Sequence, residues 1–379
     1  MNEYWIVNGI VNDAVNETPQ RADILVRNGK IAEIGTYSGG EKIDVNGLQI
    51  FPGLVEAHCH LGLDGSGNGY AGADYNEKND CTTPELNAID GINPMDPTLH
   101  NALAGGVTCV GTGPGSSNVL GGTFVAIKTC GKRIDNMIVK AKVAMKCAFG
   151  ENPKKLYQNK SITSRMTTAA KLREMLFKAK EYMDKIDAAG DDAGKKPDFN
   201  FRLHSLIPVL RREIPLKAHA HQANDIFTAI RIAKEFNVRL TLEHCTEGHL
   251  IADELAKENI PVAVGPSFMH MTKPEVINRS FVTPGVLHKA GCRVSIITDS
   301  AVTPQEHLAV CAGLACRAGM DAFAALQAIT INPAHHLEIA DRVGSIEVGK
   351  DADFVICDGS IIDNLTHIKM VFVDGKQVI

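Results

Sequence analysis

The chain of 379 residues is 44% apolar and 22% charged, the balance of a water-soluble protein of enzyme size with a large core. Its net charge of −5 provides no basic block for nucleic acid and no polybasic patch for a membrane surface. No stretch reaches the roughly 18 consecutive apolar residues that a membrane span needs, and MNEYWIVNG does not read as a secretory leader.

The first 50 residues read as short strands broken by turns: YWIVNG (4–9), ADILVRNGK (22–30) and KIAEIG (30–35), with Asn28-Gly29 as a hairpin turn. Next comes FPGLVEAHCHLG (51–62), an apolar run ending in two histidines one residue apart. As a strand it places Glu56, His58 and His60 on one face and Cys59 on the other. The excursion 62–94, rich in Gly, Asn and Asp, follows this strand and is expected to overhang its C-terminal end, where loops set specificity. Short apolar strands at 54–58, 107–112, 143–149, 214–220, 238–244, 261–265 and 293–298 then alternate with helical patterns at 224–236, 247–259 and 304–319. Such alternation implies parallel strands, closed as a barrel or open as a doubly wound sheet. Seven strands fall one short of an eight-stranded barrel. The missing one is assigned to the irregular region 160–213, which also holds a polar surface loop at 188–200. The run GTGPGSSNVLGG (111–122) lacks both the G-x-G-x-x-G spacing and a P-loop lysine, and is read as a barrel loop facing substrate. The last 35 residues return to strands, with Asp374-Gly375 as another hairpin turn. Neither end can form a core alone, so the two are expected to pair in one small β-sandwich.

The ten cysteines form no C-x-x-C pair, and several lie in apolar runs, which fits a reduced, cytoplasmic protein. The 14 histidines are more informative, because many fall at strand ends, where α/β barrels carry their chemistry. In chain order the strand ends read His58-Cys59-His60, Gly150-Glu151-Asn152-Pro153, His219-Ala220-His221, Glu243-His244 and Thr298-Asp299-Ser300. Taken singly each has a plain alternative: Asp299 as a helix N-cap, Glu151 as a solvated loop carboxylate, His244 as a hydrogen-bonded strand-end residue. Together they are the imidazoles and carboxylates that hold zinc, manganese or iron(II) with a position open for water.

Pro52-Gly53-Leu54-Val55-Glu56-Ala57-His58-Cys59-His60 resembles the first barrel strand of the amidohydrolase superfamily. The tail Gly344-Ser345-Ile346-Glu347-Val348-Gly349-Lys350-Asp351-Ala352-Asp353, with Val371-Phe372-Val373-Asp374-Gly375, resembles that superfamily's return to its small β-sandwich. The runs at 150–154 and 219–221 are similar to its imidazolonepropionase-related branch, and Glu56 departs from the more frequent Asp. The resemblance implies a (β/α)8 TIM-like barrel over 51–340 and a composite β-sandwich from 1–50 plus 341–379. It implies one or two divalent ions, zinc by preference with manganese or iron as alternatives. His58, His60 and Asp299 would bind one ion, and His219 and His244 a second. A bridging group would be Glu151, which is preferred, or a carboxylated Lys146. His221 is a candidate substrate contact, or equally a hydrogen-bonded support.

A bound ion lowers the pKa of water from about 15.7 to about 7 and polarises a carbonyl, and Asp299 is placed as the general acid–base. The expected reaction is hydrolysis of a C–N bond in a cyclic amide, an N-acyl compound or a peptide-like amide. The alternatives are a mononuclear deaminase of a ring amidine and a non-catalytic barrel scaffold. The expected partner is a small-molecule substrate, with no nucleic acid and no membrane, and a homo-oligomer is left open.

Overall fold

The structure, a computed structural model, describes residues 3–65 and 69–379. Eight strands form one sheet in chain order: β1 (Leu54–Cys59), β2 (Val107–Thr112), β3 (Leu120–Lys128), β4 (Ile138–Ala148), β5 (Leu216–Ala220), β6 (Leu240–His244), β7 (Val262–Val264) and β8 (Val294–Ile296). Most are buried along their whole length, the pattern of strands covered by helices outside and by side chains inside. The sheet curls into a nearly closed eight-stranded barrel, as the sequence leads one to expect.

The eighth strand is not where the sequence analysis puts it. β3 supplies it and runs antiparallel to both neighbours, β2 and β4, while every other pairing in the sheet is parallel. The region 160–213 instead forms the long helix α2 (Arg165–Ala189), capped by Ser164, and three short helical turns. β3 is hidden in the sequence by Gly121-Gly122, which reads as loop. Gly122 takes a φ of +111°, and a Cβ there would lie 2.4 Å from the Leu86 carbonyl of the excursion. A side chain cannot fit where the excursion backbone lies on the strand.

β1 and β8 are the two ends of the sheet, and the seam between them is closed by other contacts. The His60 N–H donates to the Ser300 carbonyl at 2.7 Å, and Val55 and Ile296 donate to Ile329 and Ala328 at 2.8 Å. Glu56 spans the seam with its side chain. Oε2 accepts from the Thr298 N–H (2.9 Å), the Thr298 hydroxyl (2.7 Å) and Gln305 Nε2 (3.0 Å), while Oε1 accepts from the His58 N–H (3.0 Å). Burial pushes the Glu56 carboxyl up to about 7, and these hydrogen bonds oppose the shift. Replacing it, Glu56→Gln, turns an amide toward the same donors, and should cost about 1–3 kcal/mol in urea unfolding.

The chain ends build two further sheets. One pairs Lys30–Gly35, Asp23–Arg27, Glu3–Val7 and Lys42–Asp44. The other joins Gln49–Pro52 and Ile10–Val11 to Phe354–Cys357 and Ile368–Val373, so both chain ends share it. Ile6, Ile24 and Val26 of the first sheet pack with Ile50, Phe354 and Phe372 of the second in one core. This is a small β-sandwich made from both ends. Among the described residues no helix is long and apolar enough to cross a membrane.

Candidate metal centre

The C-terminal ends of the parallel strands meet at one face of the barrel, and the strand-end histidines converge there. His58 and His60, two residues apart on β1, both face Asp299, which follows β8. Asp299 Oδ1 lies 3.5 Å from His58 Nε2 and 3.3 Å from His60 Nε2. Cys59 points the other way into an apolar cluster with Leu61, Val110 and Leu99, as the two-residue period requires. The His60 Nδ1 lies 2.8 Å from the Gly113 carbonyl, and the His244 Nδ1 lies 2.7 Å from the Gly265 carbonyl. A carbonyl can only accept, so both rings carry their proton on Nδ1 and turn an Nε2 lone pair inward.

Two sets of three residues bring their donor atoms within 4.8 Å of one another: His58, His244 and Asp299, and His219, His221 and His244. His244 belongs to both. All the histidines involved are buried, and burial holds His58, His219 and His221 well below the usual imidazole range and His244 down to about 4. They are therefore neutral at pH 7. Burial alone would raise the Asp299 carboxyl, but His244, His60 and His58 around it bring it below the ordinary value. Asp299 Oδ1 and His219 Nδ1 are buried without a hydrogen-bond partner. Neutral imidazoles and an ionised carboxylate, two of whose buried atoms have no hydrogen-bond partner, are the donor set a divalent ion takes.

The two candidate bridging groups separate. Lys146, on β4 inside the barrel, is fully buried, and its Nζ is 3.0 Å from His58 Nε2. Burial lowers its ammonium to about 8. Glu151 is the first residue of the helix α1 (Glu151–Tyr157), is half-buried, and belongs to neither three-residue set. Its backbone N–H donates to Glu275 at 2.8 Å. Position favours Lys146, which lies inside the strand against His58, whereas Glu151 opens a helix beyond the strand end.

His221 reaches Thr246 Oγ1 through Nδ1 at 2.7 Å and stacks on His244 with ring centroids 4.8 Å apart. Glu275, which the sequence analysis does not single out, is buried with Oε1 3.7 Å from both His219 Nε2 and His221 Nε2 and is paired with Lys273 at 2.5 Å. It sits in a single helical turn, Pro274–Val276, which no periodic pattern announces. Glu243, named in the sequence analysis as part of the strand end but given no role, and Lys217, not named there, are fully buried beneath the histidines.

The excursion after β1 does cover this face, though residues 66–68 lie outside the described residues. Tyr75 packs its ring 5.2 Å from that of His60 and lines a cavity of about 990 Å³. That cavity lies between the excursion, β3 and the segment 201–214.

The Amidohydrolase family profile matches residues 166–378. An amidohydrolase of known structure from Thermotoga maritima is 40% identical, with 99% of each chain covered and a TM-score of 0.95. Amidohydrolase tasK of Hapsidospora irregularis is 26% identical over 93% of this chain, which spans 39% of that protein's length. A 5'-deoxyadenosine deaminase of Methanobrevibacter smithii is 22% identical over 94% of this chain and 84% of its own. With a converging histidine–carboxylate centre at the C-terminal face of its barrel, the chain belongs to the amidohydrolase family.

Proposed function

We propose that the protein is a metal-dependent hydrolase that cleaves a C–N bond in a cyclic amide, an N-acyl compound or a peptide-like amide. The observation that carries this reading is the pair of three-residue sets sharing His244, with Asp299 Oδ1 facing both histidines of β1. His58, His60 and Asp299 would hold one ion, His219 and His244 a second, with zinc the preferred metal and manganese or iron(II) the alternatives. Such ions, when bound, supply a nucleophilic water at neutral pH and polarise the scissile carbonyl.

The chain's own residues do the rest. Asp299 Oδ2 takes the proton of the attacking water and delivers it to the leaving nitrogen, so that nitrogen departs as a neutral amine. The carbonyls of Gly113 and Gly265 fix the rings of His60 and His244 so that they do not turn with each cycle. Lys146 is the bridging candidate in place of Glu151, because its buried amine is neutral in part at pH 7–8 and adds carbon dioxide to give a carbamate with loss of a proton. Lys146→Ala should then lower the metal content from about two equivalents to about one, read by elemental analysis. An unchanged content would remove Lys146 from the bridge.

A second reading, deamination of a ring amidine at one ion, is favoured by the deaminase among the similar proteins. One experiment tests both. Metal-loaded protein is offered lactams, N-acyl amino acids, dipeptides and ring amidines, and amine, carboxylate and ammonia are followed. New carboxylate without ammonia supports amide hydrolysis, ammonia assigns the deaminase, and no turnover of any class contradicts both.

The same reading takes 51–340 as the catalytic barrel and 1–50 plus 341–379 as the sandwich, and a small molecule as the partner. All ten cysteines are free thiols, which supports a cytoplasmic location.

A further inference from the structure

Beneath the histidines, deeper in the barrel, lies a polar network that the proposed reaction does not use. Glu243 is at its centre and is fully buried. Its Oε1 accepts from the Thr241 hydroxyl at 2.7 Å and from His336 Nε2 at 2.9 Å. Its Oε2 is 2.9 Å from Lys217 Nζ and 3.4 Å from His58 Nδ1. The other nitrogen of His58 looks up at Lys146 and Asp299.

Both Glu243 and its neighbour His244 point into the barrel, which a regular strand forbids. His244 has a φ of +75° and Cys245 a φ of +42°, so the strand ends in a left-handed bend that turns the ligand inward after the carboxylate. His60 and His244 have their tautomers set by backbone carbonyls. For His58 the facing acceptor is a side chain, and it arrives with a charge that must be balanced inside the barrel. Lys217, on β5, supplies the countercharge, and His336, at the end of the helix Ile331–His336, adds a hydrogen bond from another element. Phe124 of β3 completes the seating by stacking on His58 at 5.0 Å.

We infer that Glu243 is a positioning residue for the metal centre: it selects the Nδ1–H form of His58 and aims Nε2 at the ion, and Lys217 and His336 are present to hold that carboxylate. A carboxylate behind a metal-bound imidazole both orients the ring and raises its basicity. The inference rests on the metal-centre reading above and adds a layer to it that is open to mutation.

Glu243→Gln alone strands Lys217, so the test pairs it with the double variant Lys217→Met/Glu243→Gln, which removes both charges together. Metal affinity is measured by chelator competition with zinc, ring geometry from the visible spectrum of the cobalt(II)-loaded protein, and fold from thermal unfolding of the metal-free protein. Both variants should bind zinc about 10–100-fold more weakly than wild type with an altered cobalt spectrum. The double variant should recover the unfolding temperature of the metal-free wild type to within a few degrees. Wild-type affinity and spectrum in both variants would overturn the inference, as would metal loss that occurs only where the fold is lost. Failure of the wild type itself to bind zinc or cobalt would instead strike the metal-centre reading.

Discussion

Replacing Asp299 with Asn is expected to lower turnover by about 10²–10⁴-fold, the range ordinarily lost with a general acid–base, while leaving the fold intact. Asn is the substitution of choice because Asp299 has a φ of +51°, a left-handed conformation that Asn adopts readily and Ala does not. The side chain is not a structural support. Its Oδ1 has no hydrogen-bond partner, and its contacts are to the buried histidines of the centre. The amide keeps an oxygen for an ion but can no longer accept the proton of the attacking water. Steady-state kinetics, thermal unfolding and metal content measured on one preparation decide the matter. A variant that keeps turnover within tenfold of wild type would remove Asp299 from the proton transfer.

The largest effect on stability is expected at Lys128, at the far end of β3. Its Nζ lies 2.9 Å from Asp351 Oδ2, 2.7 Å from Asp353 Oδ2 and 3.2 Å from Asp374 Oδ1. Asp351 is held as well by Lys30 at 2.5 Å and Arg342 at 2.8 Å. The Asp353 carboxylate is buried, accepts one backbone N–H from Asp374, and depends on Lys128 for its countercharge. Burial pushes that carboxyl up while Lys128 pulls it down, so deleting the lysine leaves desolvation unopposed. Lys128→Met should therefore cost about 3–5 kcal/mol, the usual penalty for breaking a buried pair from one side. Lys128→Met/Asp353→Asn should return part of it. Urea unfolding of the three proteins measures this, and a loss under about 1 kcal/mol would show that the network contributes little.

This cluster also shows what the sequence carried and what it withheld. The run Gly349-Lys350-Asp351-Ala352-Asp353 is legible as the return to the sandwich, and the hairpin turns at 28–29 and 374–375 join strands that do pair. The reason for two aspartates in it is not legible, since their partner is a lysine more than 200 residues earlier, inside a strand disguised by glycines. His58 and His60 could be read because a strand repeats every two residues. Glu243 could not be read by the same rule, because the bend at His244 breaks the repeat and brings adjacent residues to one face. Lys146 was visible as a lysine in an apolar strand, but its nearness to His58 depends on the register across β4 and β5, where Lys146 lies opposite Lys217. Glu275 belongs to a turn whose position is set by the loops around it.

The central claim is that these side chains form a metal centre, and the most direct test is the metal-to-protein ratio of the wild-type protein, purified without chelator, by elemental analysis. About two equivalents of zinc, manganese or iron are predicted for the bridged centre, with about one marking the mononuclear form. No bound metal, even after zinc, manganese and iron(II) have each been added back and the excess removed, would contradict the account.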